Sequence, residues 1–83
     1  MNKEISEKVN DLRLDFSEKV LKLLRDSESK FTKQESVSIC EFLGVPYRII
    51  RENNNYNEVH ADTVMGRLNL EFENNILVDI LIE

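Results

Sequence analysis

The sequence predicts an α+β fold in which two N-terminal helices pack on a three- or four-stranded antiparallel β-meander. Apolar residues recur at steps of three and four in the first part of the chain. A capping motif and a glycine stop then bracket a second helix. From position 45 onward, β-branched residues and alternating patterns dominate. Helices followed by a run of strands are typical of the α+β class.

The first helix is predicted over residues 3–25. Its apolar residues fall on one stripe that we expect to be buried. The stripe consists of Ile5, Val9, Leu12, Phe16, Val20 and Leu23. At Lys19 the strict seven-residue repeat is lost, which argues against an extended coiled coil and favours packing on a globular core.

The second helix is predicted over residues 33–43. Thr32 and Glu35 have the spacing of a capping box, in which each side chain accepts a hydrogen bond from the other residue's backbone amide. Gly44 suits a left-handed C-terminal cap, and Pro46 prevents the helix from continuing. Both ends of this helix are therefore set by local signals.

Strands are predicted at about residues 45–52, 58–65, 67–73 and 76–82, with an Asn-rich loop after the first. For the last hairpin we expect a three-residue loop over residues 73–75, because it places apolar residues opposite one another on one face. The expected pairs are Phe72 with Ile76, Leu70 with Val78, and Leu68 with Ile80. A two-residue Asn74-Asn75 turn would instead place Leu70 opposite Asp79.

Composition narrows the class of protein. The 83 residues, of which 41% are hydrophobic, allow a single domain with one core. The formal net charge of −5 repels nucleic acid and anionic membranes. The single cysteine excludes an intrachain disulfide, and neither a secretory signal nor a membrane span is evident, so we expect a cytoplasmic protein.

Few residues could support catalysis. His60 and Asp62 would share a strand face, but no nucleophile with supporting sequence context stands near them. Cys40 lies among apolar helix residues and is typical of a core position. No metal, phosphate or dinucleotide motif is present. We therefore expect no enzyme and no cofactor, and an enzyme using His60 is the third alternative.

A resemblance to the helix-turn-helix motif covers about twenty residues. It is carried by Ile39, Cys40, Leu43, Gly44, Val45 and Ile50. The resemblance implies a recognition helix over residues 46–53 and a winged, DNA-binding transcriptional regulator. In that alternative Arg48, Arg51 and Asn53 would contact DNA. The β-branched composition of residues 45–50 favours a strand instead.

The outward side of the first helix carries an acidic stripe at Glu4, Glu7, Asp11, Asp15 and Glu18. Lysines four residues after several of these acids are expected to pair with them. Leu14 and Leu21 lie beside the stripe and outside the predicted buried face, which suggests a contact with a partner. The predicted partner-binding residues are Glu7, Asp11, Leu14, Glu18 and Leu21, with Leu77 and Leu81 as a second patch.

The function predicted from these features is that of a small non-enzymatic protein-binding module: an adaptor, an inhibitor or a regulatory subunit. Its partner would be another protein or a second copy of the chain, and an acidic mimic of nucleic acid is a special case. The Lys-, Glu-, Asn- and Ile-rich composition suits a low-GC bacterium, its phage or a mobile element. The winged helix-turn-helix regulator is the alternative.

Overall fold

The computed structural model describes the backbone of residues 3–26, 30–58 and 62–83, and their side chains except at residues 3–11 and 13. Within these ranges two helices precede a four-stranded sheet. The elements are α1 (Lys3–Asp26), α2 (Lys33–Leu43), β1 (Tyr47–Glu52), β2 (Asn55–Tyr56), β3 (Leu68–Glu73) and β4 (Ile76–Ile82). The predicted α+β class is confirmed. The expected second strand at 58–65 is absent from the described part of that segment.

The sheet is mixed, so the predicted antiparallel meander is wrong. Its strand order is β2-β1-β3-β4, with β1 antiparallel to β2 and parallel to β3. The strands β3 and β4 form an antiparallel hairpin. After β1 the chain turns through Asn53, whose φ is 55°, and returns for only two paired residues. Because parallel neighbours need a crossover, the following segment carries the chain back to the start of β3.

The segment Tyr47–Glu52 is a strand, which overturns its interpretation as a recognition helix. Gly44 ends α2 in the left-handed region with φ 70°, and its amide donates to the carbonyl groups of Cys40 and Glu41. Pro46 and the β-branched pair Ile49 and Ile50 then favour an extended backbone. At the other end of α2, the capping box of Thr32 and Glu35 forms as predicted.

The β3–β4 hairpin has a two-residue turn, and the predicted three-residue loop is wrong. Asn74 and Asn75 both have positive φ, at 51° and 64°. Val78 is then the extra residue of a β-bulge between the Phe72–Leu77 and Glu71–Asp79 pairs. The observed core pairs are Leu70 with Ile80 and Leu68 with Ile82. The bulge thus aligns apolar residues that the turn alone would leave out of register.

The hydrophobic core contains residues from both helices and from the sheet. Its buried members are Val20, Leu21, Leu24, Cys40, Val45, Leu68, Leu70, Phe72 and Ile80. Ser17 and Ser36 are also fully buried. Among the described residues, the Ser17 hydroxyl is the buried side-chain group without a hydrogen-bond partner.

The predicted buried stripe of α1 is only partly correct. Val20 is buried, but Leu12, Phe16 and Leu23 are exposed. At 100° per residue, the buried side chains Ser17, Val20, Leu21 and Leu24 form an adjacent arc of the helix. The helix is therefore rotated from its expected orientation. No helix in the described part of the chain is long and apolar enough to span a membrane.

Candidate protein-binding surface

An exposed apolar surface extends along α1 and onto α2. We call it the α1–α2 face, and it consists of Leu12, Phe16, Leu23, Ile39, Phe42 and Leu43. Four of these side chains are large and exposed: Leu12 by 70%, Phe16 by 43%, Leu23 by 53% and Phe42 by 89%. Ile39 and Leu43 are half-buried and pack against the core. This face contains four of the eight exposed large hydrophobic side chains among the described residues.

The exposure of Leu12 and Phe16 follows from the length of the helix together with its rotation, and that of Leu23 from the rotation alone. Twenty-four residues span about 36 Å at 1.5 Å per residue. A seven-residue strand such as β4 covers only about 23 Å at 3.3 Å per residue. Among the described side chains of α1, burial begins at Ser17. The helix before that position therefore offers Leu12 and Phe16 to the surroundings.

A groove of about 430 Å³ lies between the two helices. It is lined by Leu23, Ser38, Ile39, Phe42 and Leu43. Ser38 contributes the single polar side chain of this lining, so the groove is suited to an apolar side chain. The ring of Phe42 stands at its rim and is almost wholly exposed.

Charges of both signs lie beside the face. Asp15 and Lys19 form an exposed ion pair of 3.3 Å, four residues apart, as predicted. Lys22 and Asp26 lie further along the same side of the helix and are also exposed. The exposed acids Glu18 on α1 and Glu35 on α2 lie near them.

The described side chains among the partner-binding residues predicted on α1 differ in burial. Leu21 is 7% exposed and belongs to the core, so the expectation that it is left outside is wrong. Leu14 is half-buried and Glu18 is exposed. The side chains of Glu7 and Asp11 lie outside the described residues. The helix rotation that exposes Phe16 is the same one that buries Leu21.

The second predicted patch is also divided. Leu77 is half-buried and packs against the core. Leu81 is 51% exposed and pairs across the strands with Asn69, on the face of the sheet that carries polar groups. Alternate residues of a strand point to opposite faces, but the bulge at Val78 interrupts that alternation between the two leucines.

The residues of the DNA-binding alternative lie in a polar network across the sheet. Arg51 donates hydrogen bonds to Glu71 (2.7 Å) and to Glu73 (3.1 Å), and these bonds raise the pKa of its guanidinium. Arg48 donates to the Asn69 side-chain oxygen. The Asn53 side-chain oxygen accepts from the backbone amide of Asn74 at 2.7 Å. The two arginines and Asn53 thus hold neighbouring strands and turns together.

Glu83 anchors the crossover segment to the sheet. Its carboxylate accepts hydrogen bonds from the Arg67 guanidinium, from the Asn69 side-chain amide and from the backbone amide of Val64. The Arg67 bond is the main cause that lowers the pKa of Glu83 to about 2, with desolvation opposing it. This cluster is structural, because its members bond to one another.

The reactive residue types form no convergent site in the described part of the chain. Burial raises the pKa of the Cys40 thiol to about 11, which disfavours the nucleophilic thiolate. His60 lies outside the described residues. Groups of three or more potential metal-ligating side chains are absent from the described residues.

Comparisons with known proteins identify no relative. No family model, curated protein or solved structure matches this chain. The case for function therefore depends on the α1–α2 face itself.

The sequence contained a signal for this face that spacing alone could not interpret. The apolar residues of α1 occupy two adjacent arcs, one with Leu12, Phe16 and Leu23 and one with Leu21 and Leu24. The sequence interpretation assigned the first arc to the core and left Leu21 outside. The spacing shows both apolar arcs, but it does not show which of them faces the core.

Proposed function

We propose that this chain is a small non-enzymatic protein-binding module that docks a partner through the α1–α2 face. The observation that carries the proposal is the apolar groove between the two helices, which is lined by the exposed side chains of Leu23 and Phe42. Leu12 and Phe16 are exposed on the same side of α1 as Leu23. Large contiguous apolar patches on small proteins mark interaction sites. Grooves between helices commonly receive an apolar helix face.

The exposed rings of Phe16 and Phe42 would contribute to association. At about 150–250 Å² per aromatic side chain, the exposed fractions of Phe16 and Phe42 leave roughly 200–330 Å² of ring surface in water. Burial of that surface gains on the order of 5–8 kcal/mol before the entropy cost of association. Leu12 and Leu23 add to this gain.

The small size of the chain and its exposed α1–α2 face suit an adaptor, an inhibitor or a regulatory subunit. We place it in the cytoplasm, where the single Cys40 would stay reduced. In the proposed arrangement the chain forms one domain and both helices cover one face of the sheet. The other face carries the Arg–Glu network, and the α1–α2 face is directed outward for the partner. We also propose that the chain is encoded by a phage or a mobile element, on the basis of its composition.

The test is site-specific photocrosslinking in cells that express the protein. The photoreactive residue p-benzoylphenylalanine replaces Phe42 in one variant. In a matched control it replaces Tyr56, which is 77% exposed on β2. We expect a discrete adduct from position 42 that mass spectrometry identifies as a protein, and much less from position 56. Equal yields from the two positions, or no adduct from position 42, would contradict the proposal.

A further inference from the structure

We infer that the occupant of the α1–α2 face is a second copy of this chain, in an isologous dimer with antiparallel α1 helices. The inference rests on the proposed function, because it requires that this face be a docking surface. In a two-fold dimer the same patch contacts itself, so each projecting group must meet a recess on the same patch. The α1–α2 face contains both kinds of feature.

The recess is the groove and the projection is Phe42. The groove of about 430 Å³ is open to solvent, and its lining offers almost only apolar contacts to an inserted phenyl ring. Phe42 is 89% exposed at the rim of that groove. A two-fold axis beside α2 would insert the Phe42 ring of each copy into the groove of the other.

The apolar residues on α1 suit an antiparallel crossing. Leu12 and Leu23 are eleven residues, or about three turns, apart on one side of the helix, with Phe16 between them. An antiparallel pair centred between residues 17 and 18 places Leu12 of each copy against Leu23 of the other. A parallel pair, with its two-fold axis along α1, would instead place the α2 helices of the two copies on opposite sides of the helix pair, so that neither Phe42 reaches the other copy's groove.

Charge also favours this face for self-association. Two copies that each carry −5 repel one another over most of their surfaces. The flank of the α1–α2 face carries the bases Lys19 and Lys22 as well as acids. The antiparallel crossing brings Asp15 of one copy towards Lys22 of the other, within about one helical turn. Opposite charges of the two copies therefore meet beside the exposed apolar surface.

The two aromatic rings supply part of the area that a dimer needs. A stable interface buries about 800 Å² per partner. Phe16 and Phe42 supply roughly 200–330 Å² per copy, which is about a quarter to two-fifths of that area. Leu12, Leu23 and the aliphatic stems of neighbouring lysines extend the contact along α1.

Sedimentation equilibrium of the purified protein tests the dimer directly. We expect a mass near twice 9.8 kDa, with dissociation only on dilution. Phe42→Asp should weaken association at least about tenfold. Tyr56→Asp is the matched control, because it removes an exposed aromatic residue far from the face and should leave the mass unchanged. Circular dichroism reports whether each variant folds, and Leu12→Lys replaces Phe42→Asp if that variant does not.

Disulfide trapping tests the antiparallel arrangement. Leu12→Cys and Leu23→Cys are prepared as separate proteins, mixed in equal amounts and oxidised, while Cys40 stays buried. A disulfide requires Cα atoms within about 7 Å, so we expect the mixed 12–23 dimer to exceed both symmetric products. Predominance of the 12–12 or 23–23 product would overturn the antiparallel arrangement.

The outcomes separate this inference from the proposed function. A monomer at concentrations up to about 1 mM, where even weak association is detectable, overturns the dimer. If photocrosslinking at position 42 then captures a different protein, the proposed function stands and only the identity of the occupant is wrong. A monomer together with no adduct at position 42 overturns both.

Discussion

The guanidinium of Arg25, in the last turn of α1, donates a hydrogen bond of 2.9 Å to the backbone carbonyl of Ile80. The amide of Ile80 donates to the Asp79 carboxylate, also at 2.9 Å. Ile80 lies in the edge strand β4, and nearer the turn Thr32 forms a bridge to Ile76 along the same strand. The Arg25 and Asp79 side chains and the backbone at Thr32 thus contact β4 at its outer edge. Another strand could otherwise pair with this edge.

Arg25→Ala should therefore destabilise the fold by about 1–3 kcal/mol, because a partly buried carbonyl loses its donor. Urea unfolding followed by circular dichroism measures the change. Lys22→Ala, one turn earlier and exposed, is the control and should stay within about 0.5 kcal/mol of the parent. Equal effects of the two substitutions would show that the bond to Ile80 contributes nothing.

Glu83 should make stability depend on pH in acid. Its pKa in the folded protein is about 2, below the ordinary 4.5, so the unfolded chain binds the proton first as the pH falls. The stabilising contribution is complete above about pH 4.5 and declines as the pH falls towards 2.

Urea unfolding between these two pH values should show a shallower pH dependence for Glu83→Gln than for the parent. Some slope should remain, since the hydrogen bond from the Thr32 backbone also lowers the pKa of Glu35. Glu58→Gln, at an exposed acid, should retain the parental slope. A Glu83→Gln profile parallel to that of the parent would refute this assignment.

Gly44→Ala isolates the cost of a left-handed backbone. A Cβ added at Gly44 would meet no atom within 4 Å, so the penalty comes from φ 70° and not from a clash. We expect a loss of about 1–2 kcal/mol. Gly44→Asn should cost less, because asparagine tolerates this region. Thermal unfolding compares the stabilities of the two variants. A Gly44→Asn protein less stable than the Gly44→Ala protein would contradict this explanation.

Phe42 and Leu70 should differ sharply in their contributions to stability. Phe42→Ala removes an 89% exposed side chain and should change the free energy of unfolding of the monomer by less than about 0.5 kcal/mol. Leu70→Ala creates a cavity in the core and should cost about 2–5 kcal/mol. Urea unfolding of both variants at a protein concentration below the dimer dissociation constant compares their free energies of unfolding. A large loss for Phe42→Ala would indicate a structural role for that ring.

The features predicted correctly depend on contacts close in sequence. The capping box of Thr32 with Glu35 and the left-handed Gly44 both lie within or beside one helix. The bounds of α2 therefore follow from residues a few positions apart. The hairpin of β3 and β4 was also predicted, although its turn was assigned one residue too many.

The features predicted incorrectly depend on contacts far apart in sequence. Strands in parallel and antiparallel sheets share the same two-residue alternation, so the neighbour of β1 could not be inferred from its own residues. In the observed orientation of α1, the small Ser17 is buried and Arg25 bonds to Ile80, 55 residues away. Spacing within the helix cannot report either contact, and the exposed face was missed for that reason.

The bulge at Val78 has a consequence for the length of the chain. Val78 has no opposite residue in β3, so its removal would join the Phe72–Leu77 and Glu71–Asp79 pairs into a continuous ladder. Relatives could therefore lack one residue within β4 and still keep Leu70 opposite Ile80. Deletion of Val78 should leave a chain that folds, whereas deletion of Ile80 should not. The dispersion of amide chemical shifts would distinguish the folded chain from the unfolded one. An alignment gap in the middle of this strand would be compatible with an unchanged core.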